Sequence, residues 1–407
     1  MRRPRRARAR AGELRVLSLV PDLTATGGDR WGYELMRLWA LMGIEAGVFH
    51  VLGRAERAQV LPPPGVEVLG GSDRTKFRDE LPATFVRLCR ALRRYDVLVI
   101  RTVTLDAVIG YVAARVMRRP VVAYSQGIID ESLDLYQSPG RRRLLRFVLR
   151  RVDFYLCVTP ESGRAAVRIG VSPDRIAEVR TSLDVDHVRA LAREPVAPQI
   201  AASTPLSGPR ARRAVINVGS VEYRKGQDLL VRAIAALRAQ GHDVPAVLVG
   251  PDHGTAAEIR ALAARWGVAD LVCLAGSCEN PMPLIARAGA MVHTARSEAV
   301  GLVMLEALAL GVPVVANDSP SNGPRLVLDD GRLGRLVDAE DPEALAAAIR
   351  DALEDGGRDA AGVAAEAYLR AEFSPERAAA TAIRILRSIA AGEHPSALDP
   401  APIAARA

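Results

Sequence analysis

Short runs of mainly apolar residues, spaced by longer amphipathic stretches, set the rhythm of the chain. In the first half these runs fall at residues 14–20, 97–100, 120–124 and 155–158. Near-continuous apolar character over so few residues predicts strands buried on both faces, as in a parallel sheet covered by helices. Helical periodicity fills the intervals. In the segment 76–95, Phe77, Leu81, Phe85, Leu88 and Leu92 recur at helical spacing while Arg87, Arg90, Arg93 and Arg94 take other faces.

A second series of strands is predicted at residues 214–218, 246–250, 272–275, 291–294 and 313–316, with Ala- and Leu-rich helical sequence between them. Residues 189–213 interrupt the pattern: Pro195, Pro198, Pro205 and Pro209 occur there with little periodicity, the composition of a linker. The pattern predicts an α/β chain of two doubly wound, Rossmann-like domains, residues 14–190 and 214–372, joined by a linker at 191–213. A last helix is expected near Pro375 to Ala391, with Ser374 as its N-cap and Pro375 at its first position. It lies in a segment, 373–392, expected to cross back to the N-terminal domain. Residues 1–13 and 393–407 are expected to be disordered tails.

A length of 407 residues suits two domains. No stretch approaches the roughly 20 apolar residues of a membrane-spanning helix, which predicts a soluble protein. The start, Met1-Arg2-Arg3-Pro4-Arg5-Arg6, resembles the basic end of a signal peptide, but the apolar segment that follows, 16–20, is too short for one. Cys89, Cys157, Cys273 and Cys278 form no Cys-x-x-Cys pair and read as buried small hydrophobes in a reducing compartment, the cytosol.

Charge divides the chain. Residues 1–190 carry 33 basic against 21 acidic residues, and the remainder 22 against 26. A basic N-terminal half suits anionic acceptors or an anionic bilayer at the inner face of the cell membrane. The run Arg141-Arg142-Arg143, with Arg146, Arg150 and Arg151 and the interleaved Leu144, Leu145, Phe147 and Leu149, is a candidate lipid-contacting helix, or equally a packed helix with a solvated face. Nucleic acid is not an expected partner.

Ligands of open α/β sheets sit beyond the C-terminal strand ends, so the strand-to-helix junctions are where chemistry is sought. The first junction reads Gly219-Ser220-Val221-Glu222-Tyr223-Arg224-Lys225-Gly226. Lys76 and Lys225 are the only lysines among 55 basic residues. Where Arg is the default, a Lys suggests a compact point charge that approaches phosphate without a planar fork. The second junction reads Arg296-Ser297-Glu298-Ala299-Val300-Gly301-Leu302-Val303-Met304-Leu305-Glu306. Glu298 falls in the loop and Glu306 within a helix whose first turn lies near Gly301 and Leu302, where backbone N–H groups and the positive helix end suit a diphosphate. Eight residues of helix rise about 12 Å, so the two carboxylates suit hydroxyls at opposite ends of an extended ligand. The third junction, Asn317-Asp318-Ser319-Pro320-Ser321-Asn322-Gly323-Pro324-Arg325, is a turn-rich loop that either lines this site or is simply a loop.

In the first half, Thr26-Gly27-Gly28-Asp29 follows the first strand and precedes a helix expected to start near Trp31. It is not a Gly-x-Gly-x-x-Gly fingerprint, so it does not argue for NAD; its backbone could approach a diphosphate or a sugar. Asp184-Val185-Asp186 matches an Asp-x-Asp metal pattern but lacks partner ligands, and the six histidines show no metal spacing. No Gly-x-Ser-x-Gly elbow supports a serine nucleophile.

Taken in order, these segments resemble glycosyltransferase family 4, retaining transferases with the GT-B fold, over most of the chain. Val218-Gly219 through Lys225-Gly226 looks like the family's phosphate-binding segment, Glu298 to Glu306 like its Glu-x7-Glu motif, and Gly27-Gly28 like its N-terminal glycine turn. Ser182-Leu183-Asp184 sits where the family has Asn-Gly-Val-Asp. The resemblance implies two domains facing a central cleft, with Glu306 on the donor ribose, Glu298 on the transferred sugar, and Lys225 on the diphosphate. Gly27, Gly28, Gly219, Arg224, Gly301 and Leu302 complete the implied donor site. Ser321-Asn322-Gly323-Pro324-Arg325-Leu326-Val327-Leu328 resembles a variant seen in members that use UDP-hexoses or UDP-N-acetylhexosamines, which favours UDP. Two departures stand out. Ser220 occupies a position often held by Arg, a contact that the adjacent Arg224 could supply. Gln126-Gly127 replaces a frequent His-Gly, and Gln126 can hydrogen-bond a sugar hydroxyl but cannot carry a proton or a positive charge.

The implied activity is transfer of a hexosyl or N-acetylhexosaminyl group from a nucleotide-sugar to a glycan, a lipid-linked sugar or a small molecule. It proceeds on the leaving-group face, with no cofactor and no metal. Gln126 and Ser220 motivate an alternative, a catalytically degenerate binding module of the same fold. A third reading changes the reaction to epimerisation or phosphorolysis, but a phosphorylase would need a cofactor lysine and Lys76 alone is unassigned.

Overall fold

The computed structural model describes residues 14–21, 27–51, 63–70, 81–101, 104–208, 211–338, 340–354 and 358–395. Two compact units divide it, Met1–Ser182 with Pro375–Ala407, and Leu183–Ser374. The expected tail 1–13, most of the tail at 393–407, and Lys76 lie outside the described residues.

The first unit is built on a seven-stranded sheet whose paired strands all run parallel. In chain order the strands are β1 (Arg15–Val20), β2 (Glu45–His50), β3 (Glu67–Gly70), β4 (Val97–Ile100), β5 (Val121–Ser125), β6 (Phe154–Cys157) and β7 (Ile176–Glu178), and across the sheet they are ordered β3-β2-β1-β4-β5-β6-β7. The central strands are the continuous apolar runs: every residue of β4 and of β6 is buried. Helices cover the sheet because a parallel neighbour can be reached only by a crossover. The last helix, Pro375–Ala391, packs against the helix Gly27–Leu41 of this unit and buries Ile383, Leu386 and Ile389.

The second unit repeats the plan with six parallel strands: β8 (Val215–Val218), β9 (Ala246–Val249), β10 (Val272–Gly276), β11 (Ala290–His293), β12 (Val314–Asp318) and β13 (Arg335–Asp338). Their order is β10-β9-β8-β11-β12-β13. Leu229, Leu230, Ile234 and Leu237 of the helix Gln227–Ala239 pack with Leu345 and Ile349 of the helix Pro342–Glu354 on this sheet. In each unit the chain moves to one side of its first strand and then returns to the other side. β8 and β11 therefore flank the switch point, where the loops beyond neighbouring strands part to opposite faces and leave a crevice.

Two sequence expectations change. The helix after β1 begins at Gly27 rather than near Trp31, so Gly27 and Gly28 form its first turn instead of a loop before it. Glycine is tolerated at a helix start, where the first N–H groups have no intrahelical partner in any case. The span 191–213 belongs to the second unit and is partly helical, with a helix at Pro198–Ser203 and 3-10 turns at Pro205–Ser207 and Ala211–Arg213. Ile200 and Leu206 anchor it by burial, and Pro198 and Pro205 open its helix and its first 3-10 turn.

Candidate functional site

The loops after β8 and β11 meet at the switch point of the second unit. The first closes in a 3-10 turn, Tyr223–Lys225, and passes through Gly226 into the helix Gln227–Ala239. Gly226 has φ 65°, and a Cβ there would lie 2.1 Å from the Thr294 carbonyl oxygen. Only glycine permits both that conformation and that approach. Hydrogen bonds stitch the two loops together. The Thr294 hydroxyl donates to the Lys225 carbonyl at 2.9 Å, the Arg296 amide to the Arg224 carbonyl at 2.9 Å, and the Arg296 guanidinium to the Tyr223 carbonyl at 2.7 Å. Arg296 is itself held by Asp228 at 2.8 Å and by Glu340 at 2.5 Å.

This scaffold brings Lys225 and Glu298 together: Lys225 Nζ lies 2.5 Å from Glu298 Oε2, and each side chain is 16% exposed. Gly219, just past β8, underlies the lysine, since a Cβ there would sit 3.6 Å from Lys225 Cε. His293, the last residue of β11, is buried, with Nε2 3.6 Å from the same Glu298 oxygen and without a hydrogen-bond partner among the described residues. Burial would raise the Glu298 carboxyl, but the Lys225 charge above all, with Arg224 behind it, more than offsets this and holds the group well below the usual carboxylate range. Burial also pushes the His293 imidazole down, against the opposing pull of Glu298. The cluster thus sets a largely buried ion pair beside an imidazole that burial disfavours charging.

The backbone of Glu298 is clamped by the third junction. The Ser321 hydroxyl accepts from the Glu298 amide at 2.8 Å, lies 3.0 Å from the Glu298 carbonyl oxygen, and is 2.8 Å from the Ser319 hydroxyl. Gly301 caps the helix Leu302–Ala309 at φ 81°, Leu302 opens that helix, and Glu306 occupies its second turn, half-buried. The helix N-terminus, carrying roughly half a positive charge, therefore lies one short loop from Glu298. Arg224 donates to Glu222 at 2.9 Å and to the Ser297 carbonyl at 3.1 Å, and the Ser220 hydroxyl donates to Glu222 at 2.7 Å.

Gly27, Gly28 and Gln126 lie in the first unit. Gln126 follows β5, and its side-chain Nε2 is buried without a partner among the described residues. Asp184 and Asp186 serve structure: Asp184 accepts from the His187 amide at 2.9 Å as an N-cap, and Asp186 pairs with Arg370 at 2.8 Å. Among the described residues there is no group of three or more His, Cys, Asp or Glu arranged to hold a metal ion.

Sequence reasoning missed His293 and Ser321 as members of this cluster, together with the buried amides behind it. Asn217 donates to the Val292 carbonyl at 2.8 Å, Asn317 to the Thr294 carbonyl at 2.9 Å, and Gln227 to the Ser220 carbonyl at 2.9 Å. For Asn217 and Asn317 the available signal was a polar residue inside otherwise apolar strand sequence, which must find partners once buried.

Comparison with known proteins gives a consistent assignment for both units. Residues 25–187 match the model described as Glycosyltransferase Family 4, and residues 206–368 match Glycosyl transferases group 1. The D-inositol 3-phosphate glycosyltransferase of Acidothermus cellulolyticus is 30% identical over 394 residues, 83% of this chain and 81% of that protein. The protein of the same description from Salinispora tropica is 32% identical over 210 residues, 49% of this chain and 43% of its own length, so that match spans less than half of the relative. Among solved structures, Anabaena Alr3699/HepE in complex with UDP and glucose superimposes with a TM-score of 0.75 at 20% identity, covering 92% of this chain and all of that one.

Proposed function

The chain belongs to the GT-B glycosyltransferases, and on that premise we propose that it is a retaining, family 4-type transferase. It moves a hexosyl or N-acetylhexosaminyl group from a UDP-sugar without a metal. The Lys225–Glu298 pair at the switch point of the second unit carries this reading. Lys225 is the point charge for the donor diphosphate, assisted by Arg224 and by the helix end at Gly301 and Leu302. Glu298 orients the transferred sugar and Glu306 accepts from the ribose hydroxyls.

In the proposed step the acceptor hydroxyl oxygen bonds to the anomeric carbon on the face from which UDP departs. The bond from that carbon to the β-phosphate oxygen breaks, and the hydroxyl proton passes to the departing phosphate. No side-chain nucleophile or external base is required. Within the first unit, Gln126 has a buried side-chain N–H without a partner among the described residues, which suits a sugar hydroxyl, and Gly27 and Gly28 open a helix whose first backbone N–H groups suit a donor oxygen.

The Acidothermus and Salinispora relatives are named for D-inositol 3-phosphate, which supports a polyol or cyclitol phosphate as the first acceptor to try; glycans and lipid-linked sugars remain acceptors of the same reaction. The exposed Arg141, Arg143, Leu144 and Phe147 on the helix Pro139–Leu149 support peripheral contact with an anionic bilayer at the inner face of the membrane. A second reading, a binding module without turnover, draws on Ser220, whose hydroxyl is engaged by Glu222.

Donor hydrolysis by UDP-, GDP-, ADP- and dTDP-sugars, followed by mass spectrometry with and without EDTA, tests the assignment. Release of UDP that persists in EDTA is expected, as is a drop of roughly a hundredfold or more in Lys225→Ala and Glu306→Ala. Wild-type rates in both variants would overturn the site assignment, and donor binding without turnover would favour the module.

A further inference from the structure

A donor phosphate competes with Glu298 for the Lys225 ammonium. The ammonium lies 2.5 Å from Glu298 Oε2, and a phosphate that engages it weakens that hold. A buried carboxylate left unpaired is costly, so whatever replaces the ammonium governs how readily Lys225 is released. His293 is the group in place. It is 2% exposed, its Nε2 has no hydrogen-bond partner among the described residues, and it stands 3.6 Å from the Glu298 oxygen that Lys225 occupies. That separation is too long for a hydrogen bond, which needs about 2.9 Å, so a movement of about 0.7 Å converts the approach into one. Glycine at 301 keeps the pair uncrowded: a Cβ there would lie 2.5 Å from Met304 Cε, 3.2 Å from Glu298 Cγ and 3.5 Å from His293 Nε2, so any side chain would press on both groups.

We propose that His293 is a positioning residue that takes over the Glu298 carboxylate when Lys225 turns to the donor diphosphate. This rests on the reading of Lys225 as the phosphate ligand. An imidazole N–H at Nε2 then holds Glu298 aimed at the transferred sugar while the lysine is engaged elsewhere. The neutral tautomer with its proton on Nε2 is the one that a facing carboxylate selects. Family resemblance supplied roles for Lys225, Glu298 and Glu306 but none for His293.

Binding of UDP and of UDP-glucose, measured by calorimetry on the full chain, tests the exchange. In His293→Leu the carboxylate has no substitute partner, so UDP affinity falls on the order of tenfold. UDP-glucose loses less, because a sugar hydroxyl satisfies Glu298 in its place. His293→Gln, which carries an N–H near the Nε2 position, restores most of the UDP affinity. In a Glu298→Gln background the His293→Leu effect disappears, which a general packing defect would not do.

Lys225→Met separates the two levels of the argument. If it weakens UDP binding while His293→Leu does not, or if the His293→Leu loss is the same with Glu298 and with Gln at 298, the role of His293 is overturned and that of Lys225 stands. If Lys225→Met leaves UDP binding unchanged, the underlying reading fails.

Discussion

Lysine is scarce in this chain, and Lys225 sits against a carboxylate that burial alone would favour protonating. Its charge should therefore be visible in stability as well as in binding. The Glu298 pKa is depressed in the fold. The stabilisation it contributes is present above the unfolded-chain value of about 4.3 and is lost as pH falls toward the folded value. Lys225→Met removes the largest group that opposes burial, and the Glu298 pKa rises. A raised folded pKa gives the opposite dependence, with stability present at low pH and lost as pH rises. The melting temperature of Lys225→Met should thus fall furthest below wild type near pH 7, and the gap should narrow as the pH is taken to 4. Thermal unfolding at pH 7, 5 and 4 checks this, and a gap that widens on acidification would mean that the ammonium is not what holds Glu298 ionised.

Gly226 links the residues to the elements, because it joins the Lys225 turn to its helix and lets that turn lie against the end of β11. A Cβ there meets the Thr294 carbonyl oxygen at 2.1 Å, and φ is 65°. Gly226→Ala therefore forces the two loops apart at the bond between the Thr294 hydroxyl and the Lys225 carbonyl. The expected cost is roughly 2–4 kcal/mol from steric overlap and the left-handed backbone, with a raised KM for donor beyond the drop in melting temperature. A variant as stable and as tight as wild type would show that the turn can move without Lys225.

What was legible at this scale follows burial. β1, β4, β5 and β6, and β8, β9, β11 and β12, lie in the predicted runs within one or two residues, because a strand covered on both faces is nearly all apolar; the edge strand β10 was found because its residues are apolar although only partly covered. β3, β7 and β13 are edge strands with polar positions, as in Glu67-Val68-Leu69-Gly70, and β2 is interrupted by Gly47. Lys225 and Glu298 stood out from spacing and scarcity. His293 and Ser321 did not, because their importance lies in what faces them across the crevice from another strand end, and a linear pattern does not record that.

For the whole molecule, the asymmetry of charge has a location. The helix Pro139–Leu149 sits in the unit richer in basic residues and exposes Leu144 at 42% and Phe147 at 50%. Arg142 and Arg146 are turned to Asp134, at 2.9 and 3.7 Å. Arg151 stacks on the Phe147 ring, 3.7 Å from its centroid. Arg141 and Arg143, at the start of the run, are exposed. No helix among the described residues is long and apolar enough to cross a membrane. In the proposed contact with an anionic bilayer this helix would lie at the surface. The apolar tips would enter the headgroup region while the guanidinium groups meet anionic lipid. Each surface arginine is worth about 1 kcal/mol against such a membrane, so Arg141→Gln with Arg143→Gln should weaken binding on the order of tenfold or more. Sedimentation with phosphatidylglycerol vesicles, compared with phosphatidylcholine alone, reads this directly. Binding is expected to the anionic vesicles only and to decline as salt shortens the screening length. Donor hydrolysis should be unchanged in the double variant, because neither arginine belongs to the donor site. Equal binding to both lipids, or none to either, would leave the basic helix as a solvated face and point to a soluble acceptor.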